Sequence, residues 1–116
     1  MADYKSPCRR WCSELVSLIC RHDGGWRLAV SANLEEIGES SALFLTERRI
    51  RLGTRIAVDC KTRELKGIVE SCILDEILGF FVEIRLDSEC HWSPQWFAPQ
   101  HLLPSSTFRP KLLHLA

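Results

Sequence analysis

The constraint that bears hardest on this chain is the spacing of its apolar runs. Short segments rich in branched and aromatic residues recur over residues 14–21, 27–30, 42–46, 54–60, 65–73 and 78–86, each closed by a polar or glycine-bearing turn. Between them no stretch sustains a 3.6-residue apolar period long enough for a packed helix. The pattern predicts an all-β fold, a small antiparallel barrel of six to seven strands, because closure removes the free edges that invite aggregation. With 116 residues the chain has room for one such core and no second.

The turns are legible from their residue types. His22-Asp23-Gly24-Gly25 reads as a hairpin, its glycines supplying positive φ. The connection at 47–53 carries Arg48, Arg49 and Arg51, but Glu47 lies beside them, and the group reads as a solvated turn. One connection is different. From Ser31 the chain leaves a strand, passes through a polar bend containing Asn33, Glu35, Glu36 and Glu39, and re-enters a strand at Ala42. Asn33 tolerates left-handed angles and carries an amide that both donates and accepts, while Gly38 is expected to supply positive φ where the chain turns back. A binding site is expected in this bend.

Composition narrows the function classes. Hydrophobic residues make up 46% and charged residues 26% of the chain, with a formal net charge of zero, as in folded globular proteins. That balance gives no global attraction to a nucleic acid polymer or an anionic membrane, so any anion site must be local. No apolar run approaches the roughly 18 residues of a membrane helix, and the first residues lack the apolar core of a secretion signal. A cytoplasmic protein without membrane insertion is therefore expected, its six cysteines (Cys8, Cys12, Cys20, Cys60, Cys72 and Cys90) reduced and packed as small hydrophobes. Cys8 and Cys12 with Cys90-His91 or His101 make a poor zinc set, and no metal or other cofactor is expected. The phosphate-cradling loop, nucleophile elbow and zinc-protease motifs are absent from the sequence. The adjacent acids Glu35-Glu36 and Asp75-Glu76 should face opposite ways, which makes neither a general acid/base pair and points away from an enzyme.

Three regions follow. Residues 1–13 form a basic arm with Lys5, Arg9 and Arg10, residues 14–86 the barrel, and residues 87–116 a segment rich in proline and aromatic residues. In the last, Ser93-Pro94 resembles a helix cap followed by proline at the first helical position, so a short helix is expected from Gln95 until Pro99. Trp92, Trp96 and Phe97 have two readings: they cover one end of the barrel, or they dock a protein partner.

The bend and its surroundings resemble a known family. Asn33-x-x-x-x-Gly38 followed by small residues and an apolar strand is similar to the second half of the PilZ-domain signature, (Asp/Asn)-x-Ser-x-x-Gly, with Glu35 standing where that family has serine. Residues 50–58 resemble its leucine-glycine-strand segment, and residues 64–70 and 78–84 its last two barrel strands, so the likeness spans residues 5–86. PilZ proteins carry Arg-x-x-x-Arg before the first strand. Here the matching residues are Lys5-x-x-x-Arg9 and the doublet Arg9-Arg10.

The resemblance implies a PilZ-like barrel acting as a cyclic di-GMP receptor or adaptor in bacterial signalling, with Lys5, Arg9, Arg10, Asn33, Glu35 and Gly38 around the nucleotide. The residue chemistry fits in part. A guanidinium fork matches a guanine edge or a phosphate, and an amide matches a polar base edge. Glu35 only accepts: about 5 Å from a phosphate at an effective dielectric near 20 it would cost about 3 kcal/mol, unless it turns to the guanine N–H groups. The alternative reading is a degenerate PilZ-like interaction module, monomeric or dimeric, that binds an unidentified protein and no nucleotide.

Overall fold

Period-two alternation builds the sheet strand by strand. In the computed structural model, which describes residues 9–21, 25, 27–60 and 63–104, Ala42, Phe44 and Thr46 are buried while their neighbours Ser41, Leu43 and Leu45 are half-buried on the outer face. Six strands make up the sheet: β1 (Arg10–Arg21), β2 (Arg27–Ile37), β3 (Ser41–Thr46), β4 (Arg55–Asp59), β5 (Glu64–Asp75) and β6 (Gly79–Leu86). They close into an antiparallel barrel in the order β1-β2-β3-β6-β5-β4. The all-β barrel expected from the spacing of the apolar runs is the fold observed.

Closure is made by pairing β4 with the second half of β1, from Leu18 opposite Val58 to Arg21 opposite Arg55. The first half of β1 would be left as an open edge, and the segment after β6 covers it. The Ser13 amide donates to the Gln100 carbonyl at 3.0 Å and the Leu103 amide to the Trp11 carbonyl at 2.8 Å. Beyond β4 the free edge of β5 is met likewise by the preceding loop, with Gly53 donating to the Val69 carbonyl and Val69 to the Thr54 carbonyl. Both devices satisfy backbone groups that a short β4 leaves unpaired. Inside, Leu18, Leu34, Ile37, Phe44, Leu65 and Ile84 are fully buried, each large side chain contributing about 1.5–3 kcal/mol. The buried hydroxyl of Thr46 donates to the Ser31 carbonyl at 2.9 Å, so it adds no unsatisfied group.

Several boundaries differ from the sequence expectation. β1 begins at Arg10, so the last residues of the expected arm belong to the barrel. β2 does not stop at Val30: alternation continues through buried Ala32 and Leu34, and the polar bend is strand as far as Ile37. The reversal lies just beyond, at residues 38–40, where the Gly38 amide donates to the Ser41 carbonyl at 2.9 Å. Gly38 is not in the left-handed region, which among the described glycines is occupied instead by Gly25, Gly53 and Gly79. What Gly38 supplies is close approach, since a Cβ placed there would lie 2.7 Å from Arg9 Cγ.

The helix expected from Gln95 is a single turn. The amides of Trp96 and Phe97 both donate to the Ser93 carbonyl, at 2.9 and 3.2 Å, and the chain then straightens into the stretch that pairs with β1. Pro99, which has no N–H to continue the turn, and the pull of the open β1 edge outweigh the cap signal. A 3₁₀ turn also forms ahead of it, at Ser88–Cys90.

Candidate functional site

A bulge decides how the residues of the expected bend are presented. Against β3, Leu34 pairs with Phe44 and Glu36 with Leu43, leaving Glu35 without an opposite residue. Against β1 the register shifts at the same place, Glu36 facing Trp11 and Leu34 facing Glu14, but there the extra residue is on β1, where Cys12 and Ser13 stand against Glu35 alone. The extra residue on β2 lets Leu34 and Ile37 both point into the core, so the intervening Glu35 and Glu36 both belong to the outer side. The expected opposition of these two acids is thereby overturned: an unbroken strand would separate them, and the bulge puts them together.

Arg9 lies across this outer surface. Its Nε donates to Glu36 Oε1 at 3.1 Å and its Nη1 to Glu83 Oε2 at 2.7 Å and to Ser41 Oγ at 3.3 Å. One guanidinium thus spans β2, β3 and β6. The Arg9 and Glu36 side chains are only 12% and 7% exposed, so the pair is held in a weakly screened setting. The stem of Arg9 runs over Gly38, where any side chain would displace it.

The other expected ligand residues are placed apart from this strap. Asn33 Nδ2 donates to Glu35 Oε2 at 2.7 Å and to Ser13 Oγ at 3.2 Å. The amide and the carboxylate therefore satisfy each other. Arg10 turns away to the C-terminal segment, its Nε donating to the Leu103 carbonyl at 2.7 Å. The structure brings together Arg9 and Gly38, and separately Asn33 and Glu35; it does not gather the set around one opening. Lys5 lies outside the described residues. Nearby Cys12 is pushed up to about 12 by burial and then by the charge of Glu35, and its thiol donates to the Leu34 carbonyl. Such a thiol is neither a nucleophile nor a ready metal ligand. Among the described residues no three His, Cys, Asp or Glu side chains converge as a metal site.

The aromatic docking residues need correction. Trp92 and Phe97 are core residues, 5% and 8% exposed, with Trp92 Nε1 donating to the Phe97 carbonyl at 2.7 Å. Burial leaves them no surface to offer, and for these two the covering role is the observed one. Trp96 is half-buried against the core, with the Arg63 guanidinium 5.3 Å from its ring centre.

A different surface emerges from the register. Leu15 on β1 faces Asn33 on β2, which faces Leu45 on β3, then Phe81 on β6 and Ile73 on β5. Four of these five outward residues are apolar, and Leu15 and Ile73 are 76% and 64% exposed. The tip of the β5–β6 hairpin continues the patch with Ile77 and Leu78, 88% and 56% exposed. Leu78, Leu15 and Leu45 line one shallow groove of about 470 Å³. In the sequence the only trace is a lapse of alternation, at Leu15-Val16, Ile73-Leu74 and Phe80-Phe81, where both faces of a strand are apolar. No helix of the described residues is long and apolar enough to cross a membrane. Comparison of the chain with family models, with curated proteins and with solved structures found no match.

Proposed function

We propose that this chain is a PilZ-like interaction barrel that docks a protein partner on the outer face of β1, β2, β3, β6 and β5. The observation that carries this reading is the row from Leu15 to Ile73 with the adjoining hairpin tip: uncovered apolar surface, contiguous across strands, is where soluble domains meet partners. Arg9 supports it. The guanidinium expected to grip a nucleotide is already engaged by two carboxylates and a hydroxyl. A photo-crosslinking residue placed at Leu15 should capture a discrete partner in cells, and one at Lys66, on another part of the surface, should not. Equal capture at both positions, or none at Leu15, counts against the reading.

The second reading is the cyclic di-GMP receptor. It is favoured by the contact of Arg9 with Gly38, which joins the arm arginine to the glycine of the PilZ-like signature. In that reading the nucleotide competes Arg9 away from Glu36 and Glu83 and faces the charge of Glu35. Calorimetric titration separates the two: saturable binding of cyclic di-GMP that is lost in Arg9→Ala supports the receptor, and no heat together with no thermal stabilisation supports the module.

A further inference from the structure

Three arginines stand side by side on neighbouring strands. Arg21 on β1 is directly opposite Arg27 on β2 and, on its other side, directly opposite Arg55 on β4. Directly opposed residues of antiparallel strands project from the same face, with Cα atoms about 4.5–5.5 Å apart, and like charges so placed repel. Arg55 is relieved by Asp87, 2.6 Å from its Nη2. Arg21 and Arg27 have no hydrogen-bond or ion-pair partner among the described residues. Two exposed guanidinium groups are therefore held together with no counter-charge on either among the described residues.

The adjacent row gives the cluster a floor. Ile19 on β1 lies opposite Ala57 on β4, with Lys66 of β5 on the other side of Ala57. Arg21, Arg27, Arg55 and Lys66 line a depression of about 350 Å³ above Ile19 and Ala57. That volume is at the small end of the range of about 300–1,000 Å³ for ligand pockets. Glu64, Asp87 and Glu89 border it on the side away from β2. A long polyanion would run onto these carboxylates, whereas one phosphate group with a compact body would not.

We infer that this depression is a binding site for a small phosphate ester with a flat or compact apolar body, a mononucleotide in size and character. The forks of Arg21 and Arg27 take the phosphate in paired N–H···O bonds, which removes their mutual repulsion. The floor of Ile19 and Ala57 and the edge of Arg55 take the body of the molecule. The site is about 20 Å along β1 from Leu15, at roughly 3.3 Å per residue, and stands apart from the apolar row and from Arg9.

The test is NMR titration of the full chain with guanosine and adenosine 5′-monophosphate and with pyrophosphate, ionic strength held constant with sodium chloride. The inference expects saturable shifts of the Ile19 and Ala57 methyl signals with a nucleotide. Affinity should fall at least tenfold in Arg21→Gln and in Arg27→Gln, hold within threefold in Arg51→Gln, an exposed turn residue outside the depression, and be partly kept in Arg27→Lys. Both glutamine variants should keep a dispersed spectrum, since each removes a like-charge contact. Shifts reproduced by sodium chloride alone, or binding retained in the Arg21→Gln/Arg27→Gln double variant, would overturn the site. So would a pyrophosphate affinity equal to that of the nucleotides, which would remove any role for the apolar floor.

Discussion

Arg9 Nη1 lies 2.7 Å from Glu83 Oε2, joining residues 74 apart in the chain, while Nε of the same guanidinium holds Glu36 on the neighbouring side. Breaking a poorly exposed pair costs more than the pair itself contributes, because the remaining charge stays desolvated. Arg9→Ala is expected to lower unfolding free energy by about 3 kcal/mol, and adding Glu36→Gln should restore part of it. Denaturant unfolding of the two single variants and the double variant gives the coupling directly; strict additivity would deny that the strap is an energetic unit.

Gly67 has no room for a side chain. A Cβ there collides with the backbone carbonyl of Arg85 on β6, which has no flexible end to move aside. Gly67→Ala should therefore cost about 2–3 kcal/mol through forced separation of β5 and β6. Gly38→Ala meets the movable stem of Arg9 instead, and should cost less while loosening the strap. Chemical denaturation ranks the two.

The exposed apolar row is separable from stability. Leu15→Ser and Ile73→Thr remove surface that water already reaches, and should change unfolding free energy by no more than about 0.5 kcal/mol. Phe44→Ala, at the centre of the core, should cost about 3–5 kcal/mol. Partner capture through a photo-crosslinking residue at Leu45, in the same row, should be lost in the two surface variants, so a loss of function there cannot be ascribed to unfolding.

Asp75 ties the β5–β6 hairpin. Its Oδ1 accepts from the amides of Leu78 and Ile77, both at 2.9 Å, and these two bonds, Leu78 first, hold its carboxyl below the usual aspartate range. The folded-state value being the lower one, ionised Asp75 stabilises the hairpin above the unfolded-state value near about 4 and loses that effect as pH falls through the folded value. The protection of the Ile77 and Leu78 amides from hydrogen exchange, taken relative to the intrinsic rate at each pH, should fall on acidification in the wild type. In Asp75→Ala that protection should be low at every pH, with no such acid-dependent step.

The buried thiols should resist alkylation. Burial pushes Cys60 up to about 11 and Cys12 to about 12, so at pH 8 the reactive thiolate is scarce in the folded protein. Mass mapping after brief iodoacetamide treatment should find Cys72, half-buried and accepting from the Ile50 amide, modified ahead of Cys12, Cys20 and Cys60. Modification of Cys12 first would contradict the packing around it.

By itself the sequence determined the class of fold and most of its strands. Alternation and turn residues are local signals, and Ala42, Phe44, Val82 and Ile84 announce their inward faces through spacing alone. Only the tertiary structure decided how the outer face is used. One extra residue at Glu35 turns two acids to the same side, which no linear alternation reveals, and Arg9 meets Glu83 only because β3 lies between β2 and β6. The burial of Trp92 and Phe97 follows from the open edge of β1, which a short β4 leaves for the C-terminal segment. The facing of Arg21 with Arg27 and Arg55, and of Leu15 with a row ending at Ile73, is likewise a matter of strand order and register. Those depend on long-range pairing, which the physics of neighbouring residues does not encode.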